Sequence, residues 1–390
     1  MLSFMGDWYF LIFFLCCLGH ALIWVRVLNW MHGIRSQAPW THFVRLGLHL
    51  ILSGLPLLWF CLFRFSAPPA FWHSWPMMLR YLFEGYLWVI GLMGLIVFPY
   101  VWVSYLLRRE PASTSILQRD VKNIAHAIGK RPTGSGPRGW KANLPYNQAY
   151  EVEMIERDLV LPDLPKPLHG LRILHLSDTH FCGRPGQAYF EYVFKLCNQR
   201  PFDVLALTGD LIDDSDHYHW LEMFSLMKPR EARWAITGNH DALYDLERVR
   251  RMMRTLHFQV FSGIAVKTEI HGVPLIIAGN EAPWNDPIPN LSAFEGEALY
   301  RIALVHSPDQ YSWAVKEKFN LVLAGHNHGG QIRIPGFGSI FVPSKTGRSY
   351  DQGVFQKGNT VMHVSKGLSG GHPVRYFCRP EATWLTLRCQ

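Results

Sequence analysis

Residues 319–331 read FNLVLAGHNHGGQ. The apolar run that opens the stretch has the length and composition of a buried strand. Glycines on both sides of the two histidines mark a tight turn or a close backbone approach. Neutral imidazole is a common metal ligand, so two histidines one residue apart at a strand end raise the possibility of a metal. Taken alone, the pattern fits an ordinary loop better than a metal site. The other strand ends decide between the two.

From about residue 149 onward, short apolar runs recur and end in turns. They are LRILHLSDTH (171–180), FDVLALTGDLID (202–213), EARWAITGNHD (231–241), GVPLIIAGN (272–280), YRIALVHSPD (300–309) and FNLVLAGHNHGG (319–330). Helical patterns lie between some of them, at 188–198 and 246–256. This layout predicts an α/β or α+β domain around a buried sheet. Asp178 and His180 follow the first run, Asp210, Asp213 and Asp214 the second, and Asn239, His240 and Asp241 the third. His306 follows a later run, and His326 and His328 the last. An Asp after one strand is usually a turn or capping residue. Five strands that all deliver Asp, Asn or His to the edge where α/β sheets bind ligands are another matter. Oxygen and imidazole donors without thiolate suit Mn²⁺, Fe or Zn²⁺ in a reactive site rather than a structural zinc. The donors exceed one tetrahedral site, and two metals bridged by a carboxylate would use them all.

The blocks DTH (178–180), GDLID (209–213), GNHD (238–241), the isolated His306 and GHNH (325–328) resemble, in order and spacing, the five blocks of the calcineurin-like metallophosphoesterases. The likeness covers roughly residues 169–380. The surrounding GHNHGGQIRIPG, GRSYDQG and RYFCRPE are similar to the bacterial membrane-associated branch, which includes a UDP-2,3-diacylglucosamine pyrophosphatase of lipid A synthesis. The resemblance implies a two-sheet sandwich flanked by helices. It implies that Asp178, His180 and His328 hold one metal, that Asp210 bridges both, and that Asn239, His306 and His326 hold the second. It also implies that His240, adjacent to a ligand, contacts substrate oxygens and assists the leaving group, with Asp213 orienting it. Mn²⁺ is the first expectation for the two cations, with Fe, Zn²⁺ or Mg²⁺ as alternatives. Among the arginines 184, 333, 348 and 375, Arg348 and Arg375 are singled out as substrate-phosphate ligands because glycine-rich loop sequence surrounds them. A structural ion pair is the competing reading for each.

The N-terminal third obeys different rules. The formal net charge is +8, yet residues 1–148 hold 13 Lys/Arg against 4 Asp/Glu while residues 149–390 hold 25 against 26. The basic excess lies beside the most apolar sequence, which favours a membrane region over a nucleic-acid binder. Three windows lack charge altogether: 8–25, 46–63 and 85–107. Each is close to the roughly 20 residues that span a bilayer. They predict an all-α transmembrane region of about three helices over 1–110. His20 and His49 within it are expected to make interhelical hydrogen bonds. Arg26, Arg35 and Arg45 line the first loop, Arg64 and Arg80 the second, and eight basic residues follow the third window, from Arg108 to Lys141. The positive-inside rule then puts the catalytic region, 149–390, in the cytoplasm. Between the two lies a basic stretch, 111–148. Its residues 115–129 (SILQRDVKNIAHAIG) place Leu117, Val121, Ile124 and Ile128 on one helical face, for the inner leaflet or for the globular domain, and 130–148 read as a linker. The seven cysteines form no CxxC pair and fit free thiols in a reducing compartment.

The reading that follows is a multi-pass protein of the bacterial inner membrane. It would be a metal-dependent hydrolase of a phosphodiester or pyrophosphate bond in a lipid-linked or nucleotide-sugar substrate, with no nucleic-acid partner. The alternative is a soluble substrate, with the membrane part serving location alone. A non-catalytic metal-holding scaffold would not need His240. A transporter is disfavoured because no uncharged window contains an acidic residue.

Overall fold

A computed structural model describes residues 2–33, 39–64, 75–134, 139–285 and 287–390. Arg35, Arg138 and part of the expected linker lie outside the described residues. The chain divides into two compact units, Met1–Arg109 with Gly336–Gly347, and Glu110–Pro335 with Arg348–Gln390.

The first unit is helical: α1 (Leu2–His32), α2 (Pro39–Arg64) and α3 (Met77–Leu106), the last carrying one π turn at Met93–Val97. Among the described residues two helices are long and apolar enough to cross a membrane, Phe10–His32 and Met77–Leu106, while α2 carries the shorter apolar stretch Phe43–Leu57. Large apolar side chains such as Leu50, Trp88 and Tyr100 face outward. α1 and α3 meet at glycines: a Cβ at Gly19 would lie 1.8 Å from the Ile90 carbonyl oxygen, and one at Gly94 1.8 Å from that of Leu15. Small residues at such crossings let helix backbones pack where no hydrophobic effect drives them together. His20 joins all three helices, its Nδ1 2.5 Å from the Tyr86 hydroxyl and its Nε2 3.1 Å from the Ile51 carbonyl. His49 differs from expectation. It bonds the Arg45 carbonyl one turn back in its own helix, at 2.7 Å.

The second unit stacks two sheets. The first contains β1 (Thr114–Asn123), β2 (Glu151–Leu161), β3 (Arg172–Leu176), β4 (Val204–Thr208), β5 (Ala232–Ile236) and β6 (Gln259–Val260). The second contains β7 (Ala265–Ile270), β8 (Val273–Asn280), β9 (Tyr300–Val305), β10 (Leu321–Ala324), β11 (Gly353–Lys357) and β12 (Thr360–Val364). The last strand, β13 (Glu381–Cys389), returns to the first sheet, giving the orders β1-β2-β13-β3-β4-β5-β6 and β11-β12-β10-β9-β8-β7. Ile173, Val204 and Trp234 of one sheet and Ile277, Ile302 and Leu323 of the other belong to one buried core cluster between them. The outer face of the first sheet packs on α4 (Gln187–Cys197), the 3-10 segment Ser215–Leu226 and α5 (Leu246–Thr255). That of the second packs on α6 (Tyr311–Lys316). Strands buried on both faces read as unbroken apolar runs, which is why these runs do not alternate. The neighbours β3-β4-β5 and β8-β9-β10-β12 are parallel. Their carboxyl ends therefore open at one rim of each sheet.

The amphipathic helix expected at 115–129 is not formed. Residues 114–123 are β1, paired antiparallel to β2 from Thr114↔Leu159 to Asn123↔Glu151, and only Ile124–Ala127 make a helical turn. Leu117 and Val121 are exposed while Ile124 is buried. The free edge of β2 supplies a backbone partner that outweighs a marginal isolated helix.

Candidate metal centre and active site

Each parallel strand ends in a turn that throws a side chain across the rim. Asp178, His180, Asp210, His326 and His328 all have left-handed backbones, with φ between 41° and 70°. Such conformations cost energy for non-glycine residues and persist where the surroundings over-determine them. Backbone close approach does part of that work. A Cβ at Gly238 would lie 2.2 Å from Asp210 Oδ1, and one at Gly325 2.6 Å from Asp178 Oδ2. In the 324–331 stretch the glycines thus serve two purposes: Gly325 admits the Asp178 carboxylate, and Gly329, at φ 61°, turns the chain.

The donors converge in two groups sharing Asp210. Asp178, His180, Asp210 and His328 form the first, and Asp210, His306 and His326 the second, each with ligand atoms mutually within 4.8 Å and all buried. Asn239 joins the second, its Oδ1 3.0 Å from His306 Nε2. All seven residues expected as ligands are therefore brought together. Imidazole nitrogens face one another at 3.2 Å twice, His180 Nε2 with His328 Nε2 and His306 Nε2 with His326 Nδ1. At most one proton fits between each pair, and buried carboxylates stand beside both. A cation between such nitrogens satisfies every lone pair, so the donor set fits two divalent ions.

The electrostatics agree. Burial opposes ionisation of Asp178, but His328, His180 and His306 hold its carboxyl well below the usual carboxylate range. Asp210 is held low against burial by His306 and His240. Against the same pull of burial, Asp210 raises His306 to about 9. Burial pushes His328 down to about 3.

His240 stands apart from the shared groups. It is partly exposed, and its Nδ1 lies 2.6 Å from Asp213 Oδ1. With Nδ1–H donated to the carboxylate, Nε2 is left as the free ring nitrogen. Its backbone N–H donates to Asp210 Oδ1 at 2.8 Å, which fixes it beside the shared carboxylate. Asp213 also lies 3.7 Å from His180 Nδ1, so His180, Asp213 and His240 form a third cluster of possible donors. Asp214 instead caps the 3-10 segment that begins at Ser215.

The two arginines singled out in the sequence lie differently. Arg375 is buried, and its guanidinium donates to the carbonyls of His328, Lys366 and Ser369 at 2.9, 2.9 and 2.5 Å. It braces the turn that carries His328 rather than opening to solvent. Arg348 is half-buried in the turn Gly347–Tyr350.

Several supporting residues carried no assigned role in the sequence reading. Asp241 accepts the N–H groups of Leu211, Ile212 and Gly238 at 2.9, 2.9 and 2.7 Å, tying the loop after β4 to the loop after β5. Burial and neighbouring Asp210 push its carboxyl up to about 7. Trp284 packs its ring 4.6 Å from that of His326, and the Asn285 amide donates to the Gly238 carbonyl at 2.9 Å. Their signal was available: GVPLIIAGN is a sixth strand, and EAPWN follows it. Below the rim, His175 of β3 bridges to His363 of β12 at 2.8 Å and to Thr208 of β4 at 2.9 Å, a polar link through the apolar interior.

Comparison with known proteins places this geometry in a family. The calcineurin-like phosphoesterase profile matches residues 171–330. The chain is 30% identical over 257 residues to the uncharacterized metallophosphoesterase YkuE of Bacillus subtilis, covering 62% of this chain and 88% of that one. It is 27% identical over 222 residues to the phosphodiesterase YaeI of Escherichia coli, covering 55% and 82%. It is 26% identical over 274 residues to a transmembrane protein with metallophosphoesterase domain of Danio rerio, covering 62% and 59%. The chain belongs to the calcineurin-like metallophosphoesterases, metal-dependent phosphoester hydrolases with a dinuclear metal centre.

Proposed function

We propose that the protein is a membrane-anchored phosphodiesterase or pyrophosphatase acting on a lipid-linked or nucleotide-sugar phosphate such as UDP-2,3-diacylglucosamine. The observation that carries the chemistry is the pair of donor groups sharing Asp210, with the His240–Asp213 pair beside it. Asp178, His180 and His328 would hold one ion, Asn239, His306 and His326 the other, and Asp210 both. Mn²⁺ fits this oxygen and imidazole set. When bound, the two cations supply charge neutralisation and activation of water.

The chain's own residues do the rest. The buried carboxylates and imidazoles fix the site before substrate arrives, so little reorganisation accompanies the reaction. Asp213 accepts His240 Nδ1–H and so leaves Nε2 to take up a second proton, which the resulting imidazolium would pass to the leaving oxygen. Arg375 and Asp241 position the turns. The lipid-linked substrate is favoured by two long apolar helices in the same chain, which keep the enzyme at the membrane where such substrates reside. By the distribution of Lys and Arg, the catalytic unit lies on the cytoplasmic side of a bacterial inner membrane, with α2, whose apolar stretch Phe43–Leu57 is the shorter, as the third crossing.

Asp210→Asn tests the metal assignment. Purified variant at saturating Mn²⁺ should keep no more than a few per cent of wild-type turnover of a nitrophenyl phosphodiester. Substantial residual turnover would refute the shared-ligand role. For the substrate, lipid extracts of cells depleted of the protein should accumulate a phosphorylated lipid precursor. An unchanged lipid profile with a raised soluble phosphodiester would point to the soluble alternative.

A further inference from the structure

The segment Gly336–Gly347 lies within the sequence of the catalytic region, yet it packs as part of the helical unit. Seven residues separate His328 from its first residue. Its base is clamped within the catalytic unit: Arg333 donates to Asp351 at 2.7 Å and to the Gly329 carbonyl at 2.9 Å. Between these ends the chain reads GFGSIFVPSKTG, with no acidic residue.

The segment is seated on α1 and α3 by specific contacts. Asn29 is buried in α1, and both halves of its amide are used. Its Oδ1 accepts from Val342 N–H at 3.0 Å, and its Nδ2 donates to the Ile340 carbonyl at 3.3 Å. An asparagine in an apolar helix is costly unless bonded, and here the segment's backbone supplies the bonds. On α3, Trp102 Nε1 donates to the Gly336 carbonyl at 2.8 Å, and Phe98 stacks on Phe337 with ring centroids 5.4 Å apart. Two glycines make close approach possible. A Cβ at Gly338 would lie 2.4 Å from the Tyr105 ring, and one at Gly33 2.6 Å from the Lys345 nitrogen.

Depth follows from the register. Phe98 lies ten residues before Arg108, which stands two residues beyond the end of α3 and is the first charged residue after Glu84. At 1.5 Å per residue that is about 15 Å along the axis. Half the hydrocarbon thickness of a bilayer is also about 15 Å. The side chains beside this contact, Tyr100, Val103 and Leu106, are exposed on α3, as is Phe341 on the segment.

We propose that Gly336–Phe341 is a membrane-inserted tongue whose partner is bilayer lipid, docked along α3 and locked at the interface by Asn29. The inference rests on the membrane reading of α1 and α3. The turn bearing His326 and His328 is thereby continuous in sequence with a lipid-embedded element.

The test uses the full chain reconstituted in phosphatidylcholine–phosphatidylglycerol vesicles. A fluorescent non-canonical amino acid is placed by stop-codon suppression at Phe341, at Leu95 as the lipid-facing reference on α3, or at Tyr146 as the aqueous reference. Quenching by aqueous iodide is compared with quenching by lipids brominated near the top of the acyl chain. The probe at Phe341 should be quenched by brominated lipid and shielded from iodide, as at Leu95. Asn29→Ala should shift its lipid-to-iodide quenching ratio about tenfold toward water, the effect of two modest hydrogen bonds lost together. Iodide quenching at Phe341 equal to that at Tyr146, with Leu95 still lipid-quenched, would overturn the tongue and leave the membrane reading standing. Iodide quenching at Leu95 as well would overturn both. A ratio at Phe341 indifferent to Asn29→Ala would overturn the lock at the interface.

Discussion

His240→Ala separates catalysis from metal binding. The side chain is 32% exposed, and its partner Asp213 keeps a second neighbour, His180 Nδ1 at 3.7 Å. Its removal takes the 2.6 Å partner from the largely buried Asp213 carboxylate, and the stability cost should be about 1–3 kcal/mol. The rate cost should be larger. A positioned acid–base group contributes roughly 10²–10⁴-fold. At 1.36 kcal/mol per tenfold, that range is about 2.7–5.4 kcal/mol of barrier. If the proton on Nε2 goes to the leaving oxygen, the loss should sit at the upper end for a glycerophosphodiester, whose alkoxide leaves poorly. It should be much smaller for a bis-nitrophenyl phosphodiester, whose phenolate needs little help. The assay is kcat on both substrates with bound metal measured on the same preparation by plasma mass spectrometry. Metal content should stay near wild type. Lost metal would make His240 a ligand of the third cluster formed with His180 and Asp213. An equal fall on both substrates would replace leaving-group protonation by substrate positioning, and an unchanged rate would remove His240 from the reaction.

Three other outcomes are expected. Gly238→Ala should fold but bind less metal, because the new methyl would stand 2.2 Å from Asp210 Oδ1; full metal occupancy at low micromolar Mn²⁺ would contradict the tight crossing. Chelation should lower Tm more at pH 8 than at pH 5. Asp241 is raised from 3.8 to about 7 by burial and by Asp210, so in the metal-free protein stability present below pH 4 is lost as pH rises through 7, and bound dications offset that loss. A Tm difference between loaded and chelated protein that is flat across this window would refute the argument. Tyr146→Cys, at an exposed position in the stretch before β2, should resist a membrane-impermeant thiol reagent in intact cells and react after lysis; labelling in intact cells would place the catalytic unit on the other face.

The candidate ligands were legible because each lies one to four residues beyond an unbroken apolar run, and a parallel strand buried on both faces can be read from composition alone. His306 and the 326–328 pair needed only their position after such runs. The three-helix link at His20 was expected from its apolar window, but nothing there set Gly19 and Gly94 apart from Gly47, Gly54 and Gly85, where an added Cβ would meet nothing within 4 Å. Residues 114–123 were misread because Leu117, Val121, Ile124 and Ile128 repeat with helical spacing, while the deciding partner, β2, begins some thirty residues later. A strand draws its stability from a neighbour remote in sequence, and no local period reports it. Arg375 looked like a phosphate ligand because its loop is rich in glycine; only the fold shows three carbonyls converging on its guanidinium. Asp241 was visible in GNHD, but its three backbone donors come from two loops that meet only at the rim. By itself, then, the sequence determined which residues end the strands and so which donors exist. The tertiary structure decided which donors lie within reach of one another and which cations are consumed as braces, and it seated the segment Gly336–Gly347 on the helices, because each of these depends on distances between segments that the chain brings together only on folding.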